Sequence, residues 1–193
     1  LNLLVMRILL KELKILLMKI LNTNISEVLI FSPDVYEDKR GDFLESYNYN
    51  NYKKYLYDIC FVQDNESRSK KGVLRGLHYQ ESPQSQAKLI RVIKGRIQDI
   101  AVDIREESPT FKKYVSIELN ESNRHQLFIP EGFAHGFLVL SDEAVVQYKV
   151  SNYYESNLES GYRYDDPAFN IKWMLDEKHI ILSEKDKLLP YLE

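Results

Sequence analysis

Apolar residues follow two different rhythms along this chain, and the change falls near Met18. Over the first 21 residues they are almost continuous, but Arg7, Lys11, Glu12, Lys14 and Lys19 break the run. A membrane-spanning helix needs about 20 predominantly uncharged residues, so the segment is not expected to cross a bilayer. Arg7, Lys11 and Lys14 collect on one face at helical spacing, which predicts an amphipathic helix. No charged region precedes an apolar stretch and no small-residue cleavage site follows, so a secretion signal is not indicated either. Residues 1–17 read as an N-terminal extension to a single domain over 18–193. The sequence opens on Leu1 and Met18 follows, which also fits a start assigned too far upstream; a helix lying on a membrane surface is the alternative.

From Val28 onward the pattern changes to short apolar or alternating runs separated by turn residues. Strands are predicted over Val28–Phe31, Tyr57–Gln63, Val73–Tyr79, Lys88–Lys94, Ile97–Ile104, Lys113–Leu119, Gln126–Ile129, Ala134–Leu140 and Ala144–Tyr148. Within Gln98–Arg105, Ile100, Val102 and Ile104 alternate with Asp99, Ala101, Asp103 and Arg105, so the polar members share one face, which a barrel would turn to its lumen. Lys94-Gly95 and Pro130-Glu131-Gly132 are tight turns between such runs. This many evenly spaced strands predicts an all-β jelly-roll barrel or β-sandwich with a few short helices.

Composition narrows the function. The 26 basic and 29 acidic residues leave a net charge of -3, with no basic block for phosphate contacts, so nucleic acid is not an expected partner. Cys60 is the only cysteine, which excludes an intrachain disulfide and a cysteine-rich zinc site and fits a reducing cytoplasm. The glycines follow no phosphate-loop spacing.

Two segments carry candidate chemistry. Lys71–Gln80 holds Arg75 and His78 between glycines; their odd separation puts them on one face of a strand only if Gly76 introduces a bulge. Alone, the segment reads more readily as a strand with an exposed arginine and a satisfied histidine than as a site. Phe128–Phe137 places His135 after a turn in an apolar setting, where a lone histidine is more often structural. Two histidines in a β-fold raise a metal site, but the His-x-His pair of metal-binding cupins is absent and position 80 is Gln80. No metal and no cofactor are expected.

Phe61–Asn65, Gly72–Gln80, Ala101–Arg105, Ser108–Phe111, Ile129–Phe137 and Tyr148-Lys149 together resemble the dTDP-4-dehydrorhamnose 3,5-epimerase family, in family order, from about Met18 to the C-terminus. The resemblance implies a cupin-type fold and a homodimer whose N-terminal strands reach the neighbour's site. It implies inversion at C3 and C5 of a dTDP-4-keto-6-deoxyhexose on the way to dTDP-L-rhamnose. It implies His78 as the base, Asp186 as its orienting carboxylate, Tyr148 as the proton donor and Lys88 beside the substrate oxygens. Arg40, Glu45, Gln63, Asn65, Arg75, His135, Glu159 and Lys185 match its binding positions, and Phe43 and Tyr154 are candidate stacking partners that would otherwise read as core packing. Asp186 lies in a polar tail that by itself reads as solvated surface. Related readings are an epimerase acting at one carbon of another dTDP-4-ketosugar and a non-catalytic sugar-nucleotide sensor. Retention of His78, Lys88, Tyr148 and Asp186 together argues against the sensor, because binding alone needs no acid and base.

Overall fold

The structure, a computed structural model, describes residues 18–56 and 59–192. The amphipathic helix expected over 1–17, and the first two residues of the strand expected from Tyr57, lie outside the described residues. The strands are β1 (Lys19–Asn22), β2 (Leu29–Ser32), β3 (Val35–Asp38), β4 (Gly41–Leu44), β5 (Gln63–Lys70), β6 (Leu74–Gln80) and β7 (Lys88–Lys94). They continue with β8 (Arg96–Asp103), β9 (Tyr114–Asn120), β10 (Gln126–Ile129), β11 (Phe133–Val139), β12 (Glu143–Val150) and β13 (Glu159–Gly161). Helices are short: α1 (Tyr49–Tyr52), a 3₁₀ turn (Glu177–His179) and α2 (Glu184–Lys187).

A six-stranded antiparallel sheet, in the order β1-β2-β10-β7-β12-β5, packs on a five-stranded one, in the order β13-β6-β11-β8-β9. From β6 onward most connections switch sheets, so the expected Lys94-Gly95 turn joins β7 of one sheet to β8 of the other, with Gly95 at a φ of +80° that a side chain would resist. The result is a cupin-like sandwich open along one side. Its interior is a cluster that includes Ile90, Val92, Ile97, Ala101, Leu127, Phe133 and Val146. Along β8 both faces are buried: Ala101 and Ile97 face this interior, while Ile100 and Val102 pack outside it against Leu77 and Phe169.

The strand expected over Tyr57–Gln63 is a correction. The sixth strand of the large sheet is β5, beginning where that segment ends, and Ile59–Val62 have no regular structure. Ile59 and Phe61 are apolar because they pack irregularly, with Tyr52, Leu56 and Phe128, over the outer face of the sheet. The hairpin β3–β4 stands apart as its own two-stranded sheet.

Candidate active site

A cavity of about 720 Å³ opens between the sheets at the side bounded by β5 and by β6 with β13. One wall comes from the six-stranded sheet. Alternation along β5 points Gln63, Asn65 and Ser67 inward, with Gln63 Nε2 donating to Asn65 Oδ1 at 2.8 Å, and β7 and β12 add Lys88 and Tyr148. The facing wall carries Arg75 and His78 on β6, His135 on β11 and Glu159 on β13.

Arg75 and His78 reach one cavity because the register breaks between them. His135 pairs with His78 and Phe137 with Arg75, so β6 has one residue more than β11 in that interval. Gly76 occupies the bulge at φ +125°, where a Cβ would sit 2.5 Å from Gly136 Cα and 2.7 Å from the His135 carbonyl oxygen. Both contacts are backbone and cannot swing aside. Gly76→Ala is therefore expected to destabilise the fold by at least the ~1–3 kcal/mol of a strained φ, measurable by urea unfolding, and a native midpoint would show that the bulge tolerates a side chain.

His78 Nε2–H donates to Asp186 Oδ1 at 2.7 Å, leaving Nδ1 as the ring nitrogen that Asp186 does not engage. Asp186 is only 4% exposed. Burial pushes its carboxyl up, but hydrogen bonds from His78 and at Ser183 outweigh that and hold it below the ordinary carboxylate range. It therefore stays an acceptor, which fixes the tautomer of His78. The carboxylate arrives on α2, whose first turn is capped by Ser183 Oγ accepting from Asp186 N at 3.0 Å.

Beside this pair, His135 Nε2–H donates to Asp99 Oδ1 at 2.9 Å, with Asp99 fully buried on the inner face of β8. Asp99 Oδ2 and Ser67 Oγ are buried without a protein hydrogen-bond partner among the described residues. Lys88 is buried too. Desolvation pushes its ammonium down to about 8, against the opposing pull of the negative charges on Asp99 and Glu159. Its Nζ donates to the His78 carbonyl oxygen at 3.2 Å. Burial pushes the Tyr148 hydroxyl up, so it holds its proton at neutral pH.

At the cavity mouth, Tyr154 Oη donates to Glu159 Oε2 at 2.6 Å and Lys185 Nζ pairs with the same oxygen, tying β13 to α2. Gln80 clamps the Tyr154 segment from below: Nε2 donates to the Tyr153 carbonyl oxygen at 3.0 Å and Oε1 accepts from Glu155 N at 2.8 Å.

The cavity thus gathers His78, Asp186, Tyr148, Lys88, Gln63, Asn65, Arg75, His135, Tyr154, Glu159 and Lys185. It does not gather Arg40, Phe43 or Glu45. Arg40 pairs with Asp38 on the hairpin, Phe43 is 69% exposed on β4, and Glu45 accepts from Asn48 and Asn51. Sequence reasoning missed Asp99, Ser67 and Gln80. For Asp99 a signal existed, as an acid on the face of β8 expected to turn inward. Among the described residues, no group of three or more His, Cys, Asp or Glu side chains converges as a metal-binding set.

The sandwich, with a cleft that gathers His78, Asp186, Lys88 and Tyr148, is of the cupin-like β class, and its relatives are carbohydrate isomerases. The sequence profile of dTDP-4-dehydrorhamnose 3,5-epimerase matches residues 22–193, and the chain belongs to that family. The enzyme of that name from Shigella flexneri is 49% identical over 170 residues, 88% of this chain and 93% of that one. The crystal structure of dTDP-6-deoxy-D-glucose-3,5-epimerase from Legionella pneumophila, in complex with dTDP-4-keto-L-rhamnose, superposes with a TM-score of 0.85 at 46% identity, covering 91% of this chain and 99% of that one. The dTDP-4-dehydrorhamnose 3,5-epimerase from Bacillus anthracis, with TDP and PPi bound, gives a TM-score of 0.87 at 42% identity and the same two coverages.

Proposed function

We infer that this enzyme inverts C3 and C5 of dTDP-4-dehydro-6-deoxy-D-glucose to give dTDP-4-dehydro-L-rhamnose. The observation that carries the reading is the His78–Asp186 pair on one wall of the cleft with Tyr148 on the other. The C4 ketone of such a sugar acidifies the hydrogens on C3 and C5, because the electron pair left behind delocalises onto the carbonyl oxygen. His78 Nδ1 takes a proton and Asp186 stabilises the imidazolium. Cationic Lys88 stabilises the enolate oxygen, and Tyr148 returns a proton from the opposite sheet, which inverts the carbon. Once His78 has released its proton to solvent and Tyr148 has regained one, the same steps at the second carbon complete the product, without net oxidation.

Arg75 and Lys185 supply donors for the diphosphate, and Tyr154 offers a flat face to the sugar or the base. Arg40 and Phe43 on the hairpin, and Glu45 just after it, are left for a neighbouring subunit's cleft, in a homodimer. Residues 18–193 form the catalytic domain, to which 1–17 are an extension. A cytoplasmic setting agrees with a single, exposed Cys60, and among the described residues no helix is long and apolar enough to cross a membrane.

Incubating the enzyme with dTDP-4-dehydro-6-deoxy-D-glucose in D₂O and locating the label by NMR tests this. Deuterium at both C3 and C5 of an L-configured product is expected, unchanged after exhaustive EDTA treatment. Label at one carbon alone would make it a single-site epimerase, and binding without label a sensor. Loss of turnover to EDTA, restored by a metal, would replace the proposed chemistry.

Lys88 gives a second test, because its charge is held against burial. In the folded protein it loses its proton at about 8 rather than the ordinary 10.5. Between those values the unfolded chain binds the proton that the folded one has released, so stability rises with pH across that window; below about 8 the burial cost is felt in full. That cost is about 3 kcal/mol by linkage. Lys88→Met is expected to raise unfolding free energy at pH 7 by up to that amount while lowering kcat by about 10²–10³, as for a lost oxyanion donor. A variant less stable than the parent would show that the ammonium is well solvated.

A further inference from the structure

The orienting carboxylate sits on α2, a helix of four residues. Such a segment is far too short to hold its own conformation, so the direction of Asp186 must be imposed from outside. Upstream, Ile181 bridges Val73, just ahead of β6: Ile181 N donates to the Gly72 carbonyl oxygen at 2.8 Å, and Leu74 N donates to the Ile181 carbonyl oxygen at 2.9 Å. Downstream, residues 188–192 lie as a strap over residues 161–166. Arg163 Nη1 donates to the Lys187 carbonyl oxygen at 2.8 Å and Arg163 N donates to that of Pro190 at 2.9 Å. The strap's end is fixed by Asp166, whose Oδ2 accepts from Leu192 N at 2.6 Å while its Oδ1 accepts from Ala168 N at 2.8 Å.

Asp166 is 2% exposed, and the chemistry above makes no use of it. A buried carboxylate is costly unless its oxygens are satisfied, and here both are satisfied by backbone donors, one of them on the strap. Leu192 joins the apolar cluster of Leu77 and Phe169, and Leu189 of the strap lies so close to Gly161 that a Cβ there would sit 3.1 Å from Leu189 Cδ1; Gly161 in turn pairs with His78 across β13 and β6. The anchored strap therefore bears on both members of the acid–base pair.

We propose that Asp166 is a positioning residue: it pins the strap so that α2 presents Asp186 to His78, a role that rests on the reading of His78 and Asp186 as the working pair. The test uses Asp166→Ala and, separately, deletion of residues 189–193, which removes the same anchor from its other side. Each is made alone and in an Asp186→Asn background. Each change alone should lower kcat by about 10–10²-fold, as expected for a misplaced catalytic group, with KM within about threefold. The NMR signal of the His78 Nε2–H should shift or vanish as it does in Asp186→Asn. In the double variants little should be added to the Asp186→Asn loss, because the anchor acts through that carboxylate.

A native kcat and a native ring-proton signal in either single variant, with Asp186→Asn impaired, would overturn the role of Asp166 alone. So would losses that multiply in the double variants. Native turnover by Asp186→Asn would overturn the working pair as well, and the two failures are told apart by that one variant.

Discussion

His78→Ala is expected to abolish both deuterium exchange and epimerisation at C3 and C5. Two imidazoles on that wall of the cleft are paired with carboxylates, His135 with Asp99 and His78 with Asp186 at 2.7 Å, and the proposed chemistry assigns the base to His78. Its removal takes away the positioned base, a loss of about 10²–10⁴ in rate, and does so for both carbons because the same base serves each. It also leaves Asp186 buried without the donor that offsets its desolvation. The unfolding midpoint should be followed alongside kcat to separate the two effects. Exchange at C5 surviving at a near-native rate while exchange at C3 is lost would mean that a second base, not His78, serves C5.

Tyr148→Phe should behave differently, because it removes a hydroxyl and keeps the ring that packs against the interior cluster around Ile90 and Val146. His78 can still take a proton and return a deuteron to the face it left. Exchange with retained configuration is therefore expected, while formation of inverted product falls by about 10²–10⁴ for the loss of one acid. Stereochemistry read by NMR decides the matter. Inversion of both centres at a near-native rate would remove Tyr148 from the role of donor and leave water or another side chain to supply the second proton.

Most of the architecture was legible where strands bury apolar side chains. β7 and β10 fall on their expected bounds, and the segments expected around β6, β8, β9, β11 and β12 are displaced only at their ends. β5 was not legible, because its inward positions Gln63, Asn65 and Ser67 face a polar cavity and its outward positions Asp64, Glu66 and Arg68 face away from it, so no apolar rhythm exists to be read. β3 and β4 are short and exposed, and carry no burial signal either. The site divides in the same way. The bulge at Gly76 could be demanded from the spacing of Arg75 and His78, since period-two geometry allows no other route to one face. Asp186 could not, because 108 residues separate it from His78 and its own surroundings in the chain are polar. Only the resemblance raised it above a solvated tail. The union of Asp99 with His135 depended on which strands become neighbours, and alternation along one strand does not encode that.

The polarity of β5 has a second consequence, for association rather than catalysis. Among the described residues this strand ends the six-stranded sheet, with β12 on one side and no further strand on the other. An open edge invites pairing with another chain, and apolar, flat edges do so most readily. Here a segment made hydrophilic to line a sugar site runs along that border, with Asp64, Glu66, Arg68 and Lys70 projecting alternately from it. Fixed charges of both signs and the absence of an apolar ridge make it a poor template for an incoming strand. One face of the strand thus serves the cleft with Gln63, Asn65 and Ser67, while the charges on its other face discourage uncontrolled growth of the sheet.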